Sequence, residues 1–158
     1  MLEKLQFYID GKWVDPVEPR TLDVINPASE EVYGRISLGS AADVDLAVAA
    51  AKRAFESFSV TTREERMALL QSILDVYTRR HDDIAEAIMD EMGAPWGLAK
   101  NAQAASGPQH IKAALKALKD YAFEERIRTT LVVKEPIGVC GLITPWNLSL
   151  IHISEPTR

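Results

Sequence analysis

Residues 40 to 122 carry one helical stripe after another, and sequence that reads as strand lies on both sides. That order leaves few architectures open. A helical stripe must be buried against another layer, and flanking strands make α/β the expected class. Ser40 followed by Asp43 resembles a capping box, with Asp where Glu or Gln is usual. Behind it Val44, Ala47, Val48, Ala51 and Phe55 recur on one helical face. Thr62 and Glu65 form a second capping box ahead of Met67, Leu70, Ile73, Leu74 and Tyr77. Asp82-Asp83 opens a third helix at its favoured acidic end, with Ile84, Ile88 and Met92 inward and Gly93 as C-cap. Pro95 can start a further helix. Gly107-Pro108 is expected to interrupt it before a last stripe at Ile111, Leu115, Leu118 and Ala122.

Ahead of the helices, Phe7, Ile9 and Trp13 flank Asp10-Gly11, a hairpin-turn dipeptide. Trp13 reads as an apolar plug for this arm. Leu22, Val24 and Ile25 form a second extended run that Asn26-Pro27 ends. Val32, Tyr33 and Ile36 form a third, with Gly34 as a weak point or bulge. After the helices, Ile127 to Val133 is β-branched and alternates in part, as an antiparallel strand would. Val139 to Ile143 is a nearly continuous apolar run, as in a strand buried on both faces. Ligands in open α/β sheets bind past the carboxyl ends of strands, and Thr144-Pro145-Trp146-Asn147 lies at that address.

Bulk properties exclude classes. A chain of 158 residues suffices for one domain with a core. Its 47% hydrophobic and 26% charged residues are those of an ordinary soluble globular protein. The net charge of −5, with acids and bases mixed, argues against nucleic acid or a membrane as partner. No apolar run approaches a membrane span, and no secretory signal is visible at Met1-Leu2-Glu3-Lys4, so a cytoplasmic location is expected. One cysteine excludes an internal disulfide and a cysteine-built metal site. His81, His110 and His152 have no metal spacing, so no metal is expected. Lys112, Lys116 and Lys119 read as a solvated face. Glu30-Glu31, Asp82-Asp83 and Glu124-Glu125 read as turns and helix ends.

The pattern Pro136, Gly138, Val139, Ile143, Pro145, Trp146, Asn147 is long and built from uncommon residues. It resembles the signature segment of the aldehyde dehydrogenase superfamily. Ile9-Asp10-Gly11-Lys12-Trp13, Val24-Ile25-Asn26-Pro27-Ala28 and the capped helix from Ser40 agree in order. The resemblance covers residues 1 to 147, about the first third of a family member. It implies an N-terminal β arm, a helical layer and the first strand or strands of an incomplete Rossmann-like coenzyme-binding domain. It also implies oxidation of a small-molecule aldehyde to an acid with NAD or NADP, in a parent that is a homodimer or homotetramer. Asn147 then corresponds to the amide that donates to the developing oxyanion, a role suited to a neutral donor of fixed geometry. Ile143, Thr144, Pro145 and Trp146 match the strand end lining the cofactor cleft. On the residues alone, Asn147 also reads as a helix N-cap and Trp146 as a core aromatic. Leu148 and Ser149 depart from the family, where an aromatic or apolar residue and a proline usually follow the asparagine.

Cys140 sits inside the apolar run and is expected to be buried and inert. In the family the nucleophilic cysteine, the glutamate base and the glycine-rich turn lie further downstream. Residues 148 to 158 alternate at first like a strand, but they resemble the in-frame translation of a transposase-type sequencing-library adapter. They are expected to be a non-native tail. The chain is therefore expected to be an inactive N-terminal part of an NAD(P)-dependent aldehyde dehydrogenase. The alternative is a non-catalytic short paralogue that acts as an assembly or binding module.

Overall fold

Asp10 and Gly11 take positive φ values of 55° and 74°, the geometry of a two-residue turn that matches strand twist. The turn joins β2 (Phe7–Ile9) to β3 (Lys12–Val14), as expected. These elements belong to a computed structural model that describes residues 2–143, and their mixture of helices and small sheets is the expected α/β class. Trp13 does not plug the arm: it is 66% exposed and meets Tyr8 edge to face at 5.2 Å across the strands.

The other N-terminal sheet has the order β1-β5-β4. β4 (Thr21–Asn26) and β5 (Glu31–Ser37) are antiparallel, and Asn26 closes their turn by accepting from the Ala28 amide at 2.9 Å. β1 (Leu2–Lys4), unforeseen because so short a polar segment has no pattern, runs parallel to β5. The expected irregularity falls beside Gly34. The register shifts between Val24 and Ile25, which leaves Tyr33 out of the pairing, and Gly34 itself pairs with Val24 and Leu2. A Cβ on Gly34 would lie 2.8 Å from the Leu2 carbonyl oxygen, so the glycine admits β1.

Both capping boxes form. Ser40 caps α1 (Ala41–Phe58) and Thr62 caps α2 (Arg63–Arg79), each in reciprocal contact with its N3 carboxylate. Asp43 is the shorter acid, and it also accepts from the Val17 amide at 2.9 Å, which ties the arm to α1. Arg80 separates α2 from α3 (His81–Met92). Gly93 ends α3 in the left-handed conformation, φ 65°. A side chain there would meet Pro27 at 2.9 Å, so the cap is also where α3 touches the β4–β5 turn.

Pro95 starts α4 (Trp96–Leu98), which continues through a π-helical segment (Ala99–Ala104) into α5 (Ala105–Asp120). Gly107-Pro108 does not interrupt it. Pro108 has no N–H for the Ala104 carbonyl and its ring crowds that oxygen. The backbone widens into a π turn just before it, and the Tyr77 hydroxyl donates to the released carbonyl at 2.8 Å.

The core lies between α2 and α5: Leu70, Leu74, Tyr77, Ile111 and Leu118, with Met67, Ile73, Ile84, Leu115 and Phe123 packed on it. The α2 stripe is therefore as expected, and so is the α5 stripe as far as Leu118. Ala122 lies exposed beyond the helix end, and Phe123 packs in its stead. The α1 stripe is the exception. Val44 is 59% and Val48 36% exposed, and α1 buries only Asp43 and Ala50. The region from Ile127 to Val133 is not one strand. β6 (Glu124–Ile127) and β7 (Thr130–Val133) form a hairpin around Arg128, at φ 56°, and Glu124-Glu125 are strand residues.

Candidate functional site

The Lys134 amide donates to the Phe123 carbonyl at 2.8 Å, closing the base of the β6–β7 hairpin. From there the chain runs through Glu135 to Ile143 without regular structure. The strand expected over Val139 to Ile143 is not formed. A strand needs a ladder partner, and among the described residues none lies beside it. Gly138, at φ 120°, turns the segment toward α1.

There Gly138, Val139, Cys140 and Gly141 face Val48, Lys52 and Phe55 across an open cleft of about 350 Å³. The α1 stripe, read from its spacing as core, thus forms one wall of this cleft. Lys52, which the spacing did not single out, is the only basic side chain among the described residues that line it. The signal was its place four residues after Val48 on that same face.

Cys140 is exposed, not buried as expected, because the strand that was to enclose it is absent from the described residues. Its Sγ lies 3.9 Å from the Gly138 carbonyl oxygen, and among the described residues no histidine or carboxylate lines the cleft. The described lining therefore offers Cys140 no base of the kind that nucleophilic catalysis by a thiol requires. It can hold apolar surface beside one cation. Ile143 is 95% exposed at the end of the segment. Thr144, Pro145, Trp146 and Asn147 lie outside the described residues, so of the expected cofactor-binding and oxyanion group only Ile143 has a described position.

The N-terminus of α1 is closed by its capping box. The Asp43 carboxylate accepts from the Ser40 amide at 2.8 Å and the Ser40 hydroxyl at 2.7 Å. The Val17 amide above all, with the two Ser40 donors, holds this carboxyl below its ordinary range. Lys100 and His81 do the same for Asp82, Lys100 first. Burial pushes the Tyr77 phenol up. Among the described residues no group of three His, Cys, Asp or Glu side chains could hold a metal ion. Nor is any described helix long and apolar enough to cross a membrane.

An arm of small sheets, a capped helical layer and an irregular segment leaving the β6–β7 hairpin together define a mixed α/β fold whose sheets are small and not closed. Residues 13–156 match the aldehyde dehydrogenase family, and the chain belongs to that family. The match takes in most of the segment set apart above as a non-native tail. The chain is 50% identical over 155 residues to a 3-succinoylsemialdehyde-pyridine dehydrogenase of a Pseudomonas species, covering 98% of this chain and 32% of that protein. It superposes on an aldehyde dehydrogenase of Bartonella henselae with a TM-score of 0.94 and 44% identity, over 98% of this chain and 33% of that one. A mutant aldehyde dehydrogenase C of Pseudomonas syringae, in complex with NAD+ and octanal, gives a TM-score of 0.91 at 43% identity, over 94% and 31%. The chain thus spans about a third of the length of the relatives it matches.

Proposed function

We propose that this chain is the N-terminal part of an NAD(P)-dependent aldehyde dehydrogenase, which oxidises an aldehyde to a carboxylic acid. The observation that carries the reading is the superposition of 98% of the chain on such an enzyme at 44% identity. The ordered pattern from Pro136 to Asn147 supports it. The cofactor, when bound, accepts hydride from the aldehyde carbon. Of this chain's residues, Ile143 fits one edge of a dinucleotide site, since it offers a nearly fully exposed aliphatic face. Thr144, Pro145 and Trp146 are assigned to the same site by the family resemblance of the motif. A rigid proline and a large ring shape a pocket without adding charge. The Asn147 amide donates to the oxygen on which negative charge develops.

The nucleophile and the base belong to sequence outside this chain in this reading, and Cys140 is not the nucleophile. The whole enzyme is a cytoplasmic homodimer or homotetramer whose substrate is a small-molecule aldehyde, without nucleic acid or membrane as partner. Residues 148 to 158 are a non-native tail, a reading supported by their likeness to a translated adapter. Sequencing of the locus from native DNA tests that point, and a clean read through these codons would refute it.

The experiment for the function joins residues 1 to 147 to the reading frame downstream and follows reduction of NAD+ and NADP+ with aldehydes of increasing length. Aldehyde-dependent reduction by the joined protein is expected. A downstream frame without a cysteine nucleophile would favour the short assembly module.

A further inference from the structure

Arg63 is the first residue of α2, a place where a cation opposes the helix dipole. Its side chain leaves its own helix. Nη1 donates to the Lys119 carbonyl at 3.2 Å and Nη2 donates to the Tyr121 carbonyl. These oxygens lie at the C-terminus of α5, where carbonyls have no partner within the helix and the dipole favours a cation. The same guanidinium lies over the Phe123 ring, with 5.7 Å from Cζ to the centroid, and that of Arg66 lies 6.0 Å from it. Phe123 meets Tyr121 edge to face at 4.9 Å. Lys134, at the far end of the hairpin, donates through Nζ to the Ala122 carbonyl at 3.1 Å and sits 4.6 Å from the Tyr121 ring centroid.

Three cations therefore pack on the two rings of the short linker from α5 to β6, and both ends of the β6–β7 hairpin enter this joint. Outside it the hairpin has little hold. All eight of its strand residues are exposed, and a two-stranded hairpin is marginal by itself in water. We propose that Arg63 is a positioning residue. It clamps the root of the hairpin to the helical layer, and so sets the direction in which residues 134–143 leave for the candidate site. The inference rests on the joint's geometry and stands whether or not the enzyme reading holds.

Hydrogen exchange on the complete 158-residue chain tests it, read separately for residues 124–133, for α2 and for α5. Arg63→Ala is expected to speed exchange in residues 124–133 by about tenfold or more, with less than about threefold change at the core positions of α2 and α5. Arg63→Lys keeps the charge but not the fork, and is expected to restore only part of the protection. Phe123→Leu leaves the carbonyl bonds in place and removes the ring, and is expected to loosen the same residues. Unchanged exchange in the hairpin would overturn the proposal. Equal acceleration throughout the chain in all three variants would also overturn it, since the joint would then be general core.

Discussion

The Tyr77 hydroxyl donates at 2.8 Å to the Ala104 carbonyl, the acceptor that Pro108 leaves free four residues later. Gly107 completes the arrangement. A Cβ there would come within 2.6 Å of the Tyr77 ring, so the missing side chain is the seat for the phenol. A Gly-Pro pair that would break a solitary helix serves here as a receptor for a tyrosine on the neighbouring one.

Two substitutions separate the hydrogen bond from the seat. Tyr77→Phe leaves a buried carbonyl unpaired and is expected to cost about 1–3 kcal/mol. Gly107→Ala forces the ring out of place and is expected to cost about 1–3 kcal/mol by overpacking. The ring atoms as well as the hydroxyl contact the added methyl, so Tyr77→Phe should not relieve Gly107→Ala. Urea unfolding of both single variants and the double variant checks this. Rescue in the double variant would mean that the hydroxyl alone fills the seat.

The Asp43 carboxylate gives the arm its pH dependence. Its folded-state pKa is depressed, so the unfolded chain binds the proton more readily. The stabilisation is present above the ordinary carboxylate value of about 4 and is lost as pH falls through the lower folded value. Glu65, held by Thr62, acts in the same direction. Thermal unfolding from pH 6 down to pH 2 should therefore show a fall in Tm below about pH 4 that is shallower in Asp43→Asn. Equal slopes would show that the arm is not tied through this carboxylate.

Local chemistry made much of the fold legible. Asp10-Gly11, Asn26-Pro27, Ser40 with Asp43, Thr62 with Glu65, and Gly93 each specify a turn or cap from a few neighbouring residues, and each forms. What failed depended on distant partners. Gly107-Pro108 reads as a break until Tyr77 is brought against it by the packing of α2 on α5. The spacing of Val44, Val48 and Phe55 identifies a helix face but not what covers it. Val139 to Ile143 has the composition of a buried strand, yet a strand exists only beside another. Of the motif on which the candidate site rests, the expected site residues are represented among the described positions by Ile143 alone.

The exposed α1 face predicts self-association of the isolated chain. Val44 at 59% and Val48 at 36% expose apolar surface on one face of the helix, and the β6–β7 hairpin adds Ile127 and Leu131. Sedimentation velocity should show aggregates, and Val44→Lys with Val48→Glu should reduce them. No aldehyde-dependent reduction of NAD+ is expected from this chain in either form. Turnover abolished by Cys140→Ala would contradict the view that this exposed thiol, with no base beside it among the described residues, is not a nucleophile.

Asn147 is tested in the joined full-length enzyme. As the oxyanion donor, its loss in Asn147→Ala should slow the chemical step by about a hundredfold or more. Cofactor affinity should change little, because the amide addresses the aldehyde oxygen and not the dinucleotide. As a helix cap alone, the same change should cost about 1 kcal/mol of stability and leave turnover nearly intact. Pre-steady-state hydride transfer and the melting temperature of this one variant distinguish the two roles. A stability loss with normal hydride transfer would remove the oxyanion role. That outcome would leave Asn147 as a helix cap and withdraw the one catalytic assignment proposed for this chain.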